Sequence, residues 1–289
     1  MLKGLDIHTH VPPRGGRKAD PRADQKEAYF RSPTLGMTVE DLAELYRQLD
    51  RMAVMFGVDK STSADEPFDG NDYVAEVMAK YPDVFIGWAS VDPWKGVAAV
   101  KELERAVTEL GLSGLKLHPI TQKFFPSNRR FYPLYEKAQE LHIPVIFHTG
   151  HTGIGAGAPG GTGLKLKYSR PIPYIDDVAA DFPYLTIIGA HPSWPWQEEM
   201  LSVALHKANV YIDLSGWSPK YFSPSLVQYA NTLLQDKVLF GSDFPVIDPE
   251  RWLKDFEEAP FRDEVRPKIM LQNALRLLKR GPDGKPLPQ

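Results

Sequence analysis

Short apolar runs rich in β-branched residues recur along the whole chain, and amphipathic segments separate most of them. Apolar residues three and four positions apart within those segments predict helices. Strands that alternate with helices predict a parallel sheet, and eight such units in 289 residues most simply close into a (β/α)8 TIM barrel. The predicted strands cover residues 4–10, 52–58, 84–91, 112–118, 143–149, 185–191, 210–216 and 238–244.

The alternative to a barrel is an open, doubly wound sheet. A dinucleotide-binding sheet of that kind needs a glycine-rich turn directly after its first strand, and this chain has HTHVPP there. We see no domain boundary, low-complexity tract or short repeat. The sequence therefore predicts a single domain over residues 1–289, in which the last ten or so residues, 280–289, form a flexible tail.

Five amphipathic segments serve as examples of the predicted helices. Thr38, three residues before Asp41, resembles a capping box at the start of the first one, and Gly111 suits the end of the second. The five segments cover residues 38–52, 97–111, 131–142, 196–208 and 225–236.

The composition excludes several classes of protein. Lys and Arg number 34 against 37 Asp and Glu, a net charge of −3, which argues against a chain that coats nucleic acid or an anionic membrane. There are no cysteines, so a metal site would need nitrogen and oxygen ligands. Neither a signal peptide nor an apolar run of transmembrane length is evident, so we expect a soluble, cytoplasmic protein.

The histidines concentrate at one edge of the predicted barrel. Six of the eight lie at or just beyond the C-terminal end of a predicted strand, which is the face where such barrels place their active sites. His142 and His206 fall at predicted helix ends, where we expect a structural role only. The six are His8, His10, His118, His148, His151 and His191.

The HxH pair in the first strand could bind a metal ion. Side chains alternate along a strand, so His8 and His10 point the same way and could converge on one ion. Asp6 shares that face and is expected to accept the remaining ring N–H of a ligand histidine, as supporting carboxylates often do. Two polar residues at the entrance to a loop would explain an isolated HxH equally well.

Two further residues would complete such a site. His148 ends the fifth predicted strand and Asp243 ends the eighth, which is the neighbour of the first strand in a closed barrel. Asp243 could instead cap a helix or mark a turn before Pro245. Three imidazoles and one carboxylate suit Zn²⁺ or another borderline divalent ion.

These motifs, in this order and spacing, resemble the amidohydrolase superfamily, in the branch that includes 2-amino-3-carboxymuconate-6-semialdehyde decarboxylase and related metal-dependent hydrolases. The resemblance extends from Asp6 to about Leu278 and includes GLKLHP, VIFHTG, HPSWPW, LFGSDFP and NALRLL. It implies that one divalent ion, most simply Zn²⁺ with Mn²⁺ as an alternative, is bound by His8, His10, His148 and Asp243.

The resemblance also implies catalytic roles. A water molecule on the ion would have its pKa lowered toward neutrality, and Asp243 would hold both the ion and the proton of that water. His191, after the sixth strand, would act on the substrate as the second acid or base. A buried histidine that fixes the HPSW turn is the alternative for His191.

The predicted substrate pocket is less well defined. Lys116 is expected to neutralise a substrate carboxylate or to be ion-paired inside the barrel; carbamylation, with the modified lysine bridging two metal ions, is the alternative. His151 and Trp194 are expected to line the pocket, and Trp194 could equally seal the top of the barrel. Arg170 is expected to bind the substrate.

Two long insertions, residues 11–36 after the first strand and 150–172 after the fifth, are expected to distort the barrel and to flank its mouth. Their positive charges favour a small anionic substrate, either carboxylated or linked to coenzyme A, although solvated loops often carry such charges. The charges belong to Arg14, Arg17, Lys18, Arg22, Lys165, Lys167 and Arg170.

Three functions fit these features. The first expectation is a hydrolase in which metal-activated water attacks a carbonyl of a lactone, ester, amide or β-keto compound. The alternatives are a non-oxidative decarboxylase that uses the same site and a non-catalytic barrel that binds a ligand. Bulky residues in HPSWPWQEE, where the decarboxylase branch has glycines, favour the hydrolase. Pairing as a homodimer is expected by analogy alone.

Overall fold

The computed structural model of the protein describes residues 1–14, 32–65 and 67–287. Arg17, Lys18 and Arg22, three of the basic residues predicted near the mouth of the barrel, lie outside the described residues. Across the described ranges, no helix combines the length and apolar character that crossing a membrane requires.

The strands form two sheets in which neighbours in space follow the order of the chain. Each of the eight predicted ranges overlaps a strand, and the third range contains two, which are separated at Trp88. The first sheet has the order β1 (Gly4–His10), β2 (Arg51–Phe56) and β3 (Phe85–Gly87). The second has the order β4 (Ala89–Ser90), β5 (Leu115–Leu117), β6 (Val145–His148), β7 (Ile187–Ala190), β8 (Val210–Asp213) and β9 (Val238–Leu239).

The pairing from β4 to β7 is parallel, as the alternation of strands and helices predicts. Lys116 of β5 is in register with Ile146 of β6, and His148 at the end of β6 is in register with Ala190 at the end of β7. Parallel strands in register bring their C-terminal ends to the same edge of the sheet. Residues that follow β5, β6 and β7 therefore begin their loops side by side.

Helices follow most of the strands, and each of the five example segments overlaps one. The helices are α1 (Val39–Gln48), α2 (Ser61–Ala64), α3 (Gly70–Lys80), α4 (Val97–Thr108), α5 (Pro119–Gln122), α6 (Tyr132–Glu140), α7 (Tyr174–Asp181), α8 (Gln197–His206), α9 (Pro224–Ala230), α10 (Pro249–Glu258) and α11 (Asn273–Leu277), with a π-helical turn at Lys268–Gln272.

Helix α1 begins at the capping box that the sequence predicts. The Thr38 hydroxyl accepts a hydrogen bond from the backbone N–H of Asp41, and the Asp41 carboxylate accepts one from the backbone N–H of Thr38. The helix then buries one face, which includes Leu42 and Tyr46. Gly111, in the turn after α4, has a φ of +73°, a conformation that glycine adopts without strain.

The described chain divides into two compact units. The first consists of residues 1–55, 80–86 and 213–289, and the second of residues 56–79 and 87–212. In the first unit, Phe240 packs against Trp252 with their ring centroids 4.6 Å apart. In the second, Tyr135 packs against Phe147 at 5.6 Å. All four aromatic rings are fully buried. A single domain over residues 1–289 remains a prediction.

The segment that was expected to be a flexible tail is hydrogen-bonded as far as Leu287. The backbone N–H of Gly281 donates to the carbonyl of Lys285 at 2.8 Å, and that of Leu287 donates to the carbonyl of Lys279 at 2.9 Å. The Arg280 guanidinium donates to the carbonyl of Gly284 at 2.6 Å. These bonds close a turn after α11.

We expect Thr38→Ala to lower the free energy of unfolding by about 1 kcal/mol, because the first turn of α1 then loses a cap for its backbone N–H groups. Urea titration would measure the loss. Thr108→Ala is the matched control, since the Thr108 hydroxyl is exposed and bonds only to a carbonyl within α4. An equal loss in both variants would contradict the role given to the cap.

Candidate metal centre and catalytic residues

The segment after β9 runs beside β1, as predicted for the first and last strands of a closed barrel. The backbone N–H of Ile7 donates to the carbonyl of Phe240 at 3.0 Å, and that of Asp243 donates to the carbonyl of His8 at 2.9 Å. The N–H of His10 donates to the carbonyl of Phe244 at 2.8 Å. These bonds fix Asp243 against the HxH pair.

Three of the four predicted metal ligands converge. Nε2 of His8 lies 3.3 Å from Oδ1 of Asp243, and Nε2 of His10 lies 3.2 Å from the same oxygen. One ligand atom from each residue can be chosen so that all three lie within 4.8 Å of one another. His8 is fully buried and Asp243 is 8% exposed, whereas His10 is half-buried, so solvent reaches the cluster mainly beside His10.

The hydrogen bonds of His8 show that this cluster fits a cation. Nδ1 of His8 lies 2.6 Å from Oδ2 of Asp213, and a carboxylate can only accept, so this nitrogen carries the proton. In neutral His8 the lone pair of Nε2 then faces the carboxylate of Asp243. Two acceptors facing each other are favourable when a cation lies between them, and two imidazole nitrogens with one carboxylate are ligands that divalent zinc or manganese accepts. The predicted divalent-metal site is confirmed to this extent, and the choice of metal stays open.

Asp6 supports the HxH pair differently from the prediction. Its Oδ1 accepts hydrogen bonds from the backbone N–H groups of His8 and Ser242 at 2.9 and 3.0 Å, and its Oδ2 accepts one from the Tyr46 hydroxyl at 2.6 Å. Burial raises the pKa of Asp6 to about 6, although these hydrogen bonds lower it. The carboxylate on the His8 ring belongs to Asp213, so the predicted contact of Asp6 with that ring is wrong.

Asp213 is the residue of this cluster that sequence reasoning missed. It ends β8, 205 residues from His8, and its side chain is fully buried. The available signal was a carboxylate within the otherwise apolar start of the seventh predicted strand, 210–216. The observed strand ends at Asp213, a position where polar residues in barrels are typically functional.

The second unit holds its own group of histidines. Nε2 of His191 lies 2.9 Å from Nδ1 of His148, and the rings of His118 and His148 are stacked with centroids 3.9 Å apart. Nε2 of His148 lies 3.1 Å from the carbonyl oxygen of His151 and therefore donates to it. Nδ1 of His148 must then accept from His191. Both ring nitrogens of His148 thus have hydrogen-bond partners in this unit, and its role as a metal ligand stays a prediction.

The environment of His148 keeps it uncharged. Burial lowers its pKa well below the ordinary value, and the positive charges of His118, His191 and Lys116 lower it further. A neutral imidazole can accept a proton from a neighbour or bind a metal ion, whereas a charged one can do neither. His148 is therefore in the protonation state that either role requires.

Hydrogen bonds between the segments that follow β6 and β7 position this group of histidines. The Thr149 hydroxyl donates to the carbonyl of Ala190 at 2.7 Å, and the N–H of His151 donates to the carbonyl of Trp194 at 2.7 Å. Gly150, between them, has a φ of +78°, and a Cβ added there would lie 2.6 Å from the backbone of Ser193. Glycine at 150 therefore allows the loops after β6 and β7 to approach closely.

Lys116 is fully buried, as its position in a strand predicts. Its Nζ lies 4.9 Å from the centroid of the Phe56 ring, and its backbone carbonyl accepts a hydrogen bond from the Ser90 hydroxyl at 2.9 Å. The side-chain oxygen of Gln122 accepts a hydrogen bond from the backbone N–H of His118 at 2.8 Å. Two side chains, those of Ser90 and Gln122, therefore fix the backbone at the end of β5.

The remaining predicted pocket residues lie on the loops after β6 and β7. The ring of His151 is 5.3 Å from that of Trp194, which is 45% exposed, and burial lowers the pKa of His151. Arg170 forms an exposed ion pair with Glu199 at 2.6 Å. Its predicted contact with substrate, like those of His151 and Trp194, stays a prediction.

Comparison with known proteins gives this geometry a family context. The family model described as Amidohydrolase matches residues 5–280. Gamma-resorcylate decarboxylase from Polaromonas sp. strain JS666 is 24% identical over 270 residues, which cover 80% of this chain and 81% of that protein. A 2-keto-4-carboxy-3-hexenedioate hydratase from Sphingobium sp. strain SYK-6 is 30% identical over 199 residues, 60% of this chain and 56% of the hydratase.

Solved structures confirm the predicted (β/α)8 barrel. An uncharacterised TIM-barrel protein from Bordetella bronchiseptica aligns with a TM-score of 0.78 and 27% identity over 96% of this chain and 98% of its own. A dihydroxybenzoic acid decarboxylase from Polaromonas sp. JS666, solved with bound manganese and the inhibitor 2-nitroresorcinol, aligns with a TM-score of 0.68 and 19% identity over 98% and 99% of the two chains.

We expect His8→Ala and His10→Ala each to retain little or no divalent metal after dialysis, because either change removes one of three converging donors. Elemental analysis of the purified variants would measure the metal content per chain. His206→Ala is the matched control, since His206 is exposed in the last turn of α8. A wild-type metal content in the two HxH variants would contradict the assignment of the ligands.

Proposed function

The chain belongs to the amidohydrolase family, and on that premise we propose that it is a metal-dependent carboxy-lyase, which removes CO2 without oxidation from a small carboxylated substrate. The observation that carries the proposal is the convergence of His8, His10 and Asp243 in a chain that matches a gamma-resorcylate decarboxylase over 80% of its length. We place an aromatic or muconate-like carboxylate first among the substrates, because the decarboxylases that this chain resembles are named for dihydroxybenzoates and a muconate semialdehyde.

We propose that His8, His10 and Asp243 hold one divalent ion, with His148 as the fourth ligand. For His148 to bind the ion, one of its ring nitrogens would exchange a hydrogen bond to His191 or to the carbonyl of His151 for the metal. When bound, the ion would supply a Lewis acid that polarises an oxygen atom of the substrate and lowers the pKa of a water molecule. Zn²⁺ and Mn²⁺ both suit this donor set.

Loss of CO2 requires a proton donor. When the bond to the carboxylate breaks, its electron pair stays on the carbon atom, so a proton must reach that carbon to give the C–H product. We assign this proton transfer to His191, with Asp243 as the second acid or base. The 2.9 Å hydrogen bond between Nε2 of His191 and Nδ1 of His148 supports the assignment, because a proton can pass from one ring to the other along this bond.

We propose that Lys116 lies beside a carboxylate group of the substrate. Its positive charge contributes to the lowered pKa of His148, and its side chain is fully buried. A substrate carboxylate beside it would form an ion pair with the buried ammonium group. The rings of His151 and Trp194 are proposed to contact the apolar part of the substrate.

The comparisons change the order of the functions that the sequence allows. The decarboxylase, expected second, is now preferred to the hydrolase, because the relatives that match most of the chain are named decarboxylases. Hydration of a carboxylated keto acid is the second candidate, favoured by the relative that is 30% identical over 199 residues. A cytoplasmic location and pairing as a homodimer remain predictions.

We expect the Mn²⁺- or Zn²⁺-loaded protein to release labelled CO2 from at least one member of a panel of dihydroxybenzoates and muconate-like acids carrying ¹³C in the carboxyl group. In D2O the product should carry deuterium at the carbon that lost the carboxylate. Asp243→Asn, which keeps the shape of the side chain, should abolish both signals.

Mass spectrometry of the products in ¹⁸O-labelled water separates the alternatives. Incorporation of ¹⁸O without loss of CO2 would contradict the carboxy-lyase and support a hydrolase or hydratase. Undiminished CO2 release after exhaustive chelation would contradict the participation of a metal ion.

A further inference from the structure

A buried carboxylate that the sequence patterns did not single out contacts the proposed metal ligand His8. Oδ2 of Asp213 accepts from Nδ1 of His8 at 2.6 Å and from the Ser215 hydroxyl at 2.7 Å, and Oδ1 accepts from the backbone N–H of Ser215 at 2.8 Å. Asp213, Ser215 and the His8 ring are all fully buried. Both oxygens of the carboxylate are therefore engaged as acceptors, and its orientation is fixed.

Gly241 provides the space that this carboxylate occupies. A Cβ atom added at position 241 would overlap Oδ1 of Asp213 and would come within 2.9 Å of Cβ of Ser215. The backbone of Gly241 does not have a positive φ, so its conformation is open to any residue. Position 241 therefore requires glycine because a side chain would overlap Asp213, and not because the backbone has a positive φ.

We infer that Asp213 is the positioning residue for His8 and that Gly241 is glycine in order to admit it. The inference rests on the proposed function only in taking His8 as a metal ligand. By accepting the proton of Nδ1, Asp213 holds the ring in one orientation and in the tautomer that presents the Nε2 lone pair to Asp243 and the ion. Carboxylates that fix ligand histidines in this way typically contribute roughly 10–100-fold to metal affinity.

Asparagine at position 213 has only one oxygen acceptor, so it cannot accept from both Nδ1 of His8 and the backbone N–H of Ser215, as the carboxylate does. If its oxygen accepts from the N–H of Ser215, its NH2 group faces Nδ1 of His8, and the ring must then move its proton to Nε2 in order to accept there. If the side chain is reversed, the NH2 group opposes the N–H of Ser215 instead. Either arrangement loses a bond that the carboxylate makes, and the first removes the lone pair that binds the metal.

Four variants of the full chain test the inference: Asp213→Asn, Gly241→Ala, Ser215→Ala and Gly189→Ala. The first two should weaken Mn²⁺ binding, measured by competition with a chelator, by roughly 10–100-fold. Ser215→Ala keeps the carboxylate and the backbone donor. It removes the hydroxyl, which lies 2.7 Å from Oδ2 of Asp213 and 3.0 Å from Nδ1 of His8, so it should weaken binding less than Asp213→Asn does. Gly189→Ala is the matched control for Gly241→Ala, because the three atoms nearest its added Cβ all belong to the flexible side chain of Met200.

A second readout needs neither metal nor activity. ¹⁵N NMR of the metal-free protein, with histidine labelled at both ring nitrogens, reports the tautomer of His8. The proton should be on Nδ1 in the wild type, Ser215→Ala and Gly189→Ala, and it should shift toward Nε2 in Asp213→Asn. A structural role alone would leave the tautomer unchanged. Thermal unfolding of each variant shows whether it is folded.

The inference is overturned if Asp213→Asn keeps the proton on Nδ1 and binds Mn²⁺ as tightly as the wild type. Equal losses of affinity in Gly241→Ala and Gly189→Ala would overturn the role of Gly241. If the wild type bound no divalent ion, the proposed function would fail, while the tautomer comparison would still decide the role of Asp213. If the wild type bound Mn²⁺ without releasing CO2 from any substrate, only the proposed reaction would fail.

Discussion

The two Nε2 atoms of the HxH pair approach one oxygen of Asp243, and the chemistry proposed for this protein depends on that approach. It requires the segment after β9 to lie beside β1, which the hydrogen bonds between the backbones of His8, His10, Asp243 and Phe244 ensure. It also requires His8 to present a lone pair, which the carboxylate of Asp213 ensures by accepting the other ring proton. A cation is the natural partner of such a cluster, because the Nε2 lone pair of neutral His8 and the carboxylate of Asp243 otherwise repel each other.

The parallel register of the strands explains how distant positions in the sequence supply the histidines of the second unit. His148 and Ala190 end paired strands, so His191 begins its loop next to His148 and can donate to it. Burial then lowers the pKa of His148 and keeps it neutral, as a proton acceptor or a metal ligand must be. The barrel thus converts the order of the motifs along the chain into neighbouring groups at the ends of strands.

The sequence predicted the features that depend on local pattern. All eight strand ranges overlap strands, the capping box at Thr38 forms, and His8, His10 and Asp243 converge. Asp213 and its contact with His8 were missed, because the pair is separated by 205 residues and neither strand reveals which neighbour its side chain will meet. For the same reason Asp6 was given the wrong partner, and the ion pair that Arg170 forms with Glu199 could not be foreseen.

Anomalous X-ray diffraction from crystals of the Mn²⁺-loaded protein tests the central claim most directly. The account predicts one strong manganese peak within coordination distance of Nε2 of His8, Nε2 of His10 and a carboxylate oxygen of Asp243, with His148 as the fourth protein ligand. A protein that is saturated with Mn²⁺ in solution but shows no peak among His8, His10 and Asp243 would contradict it.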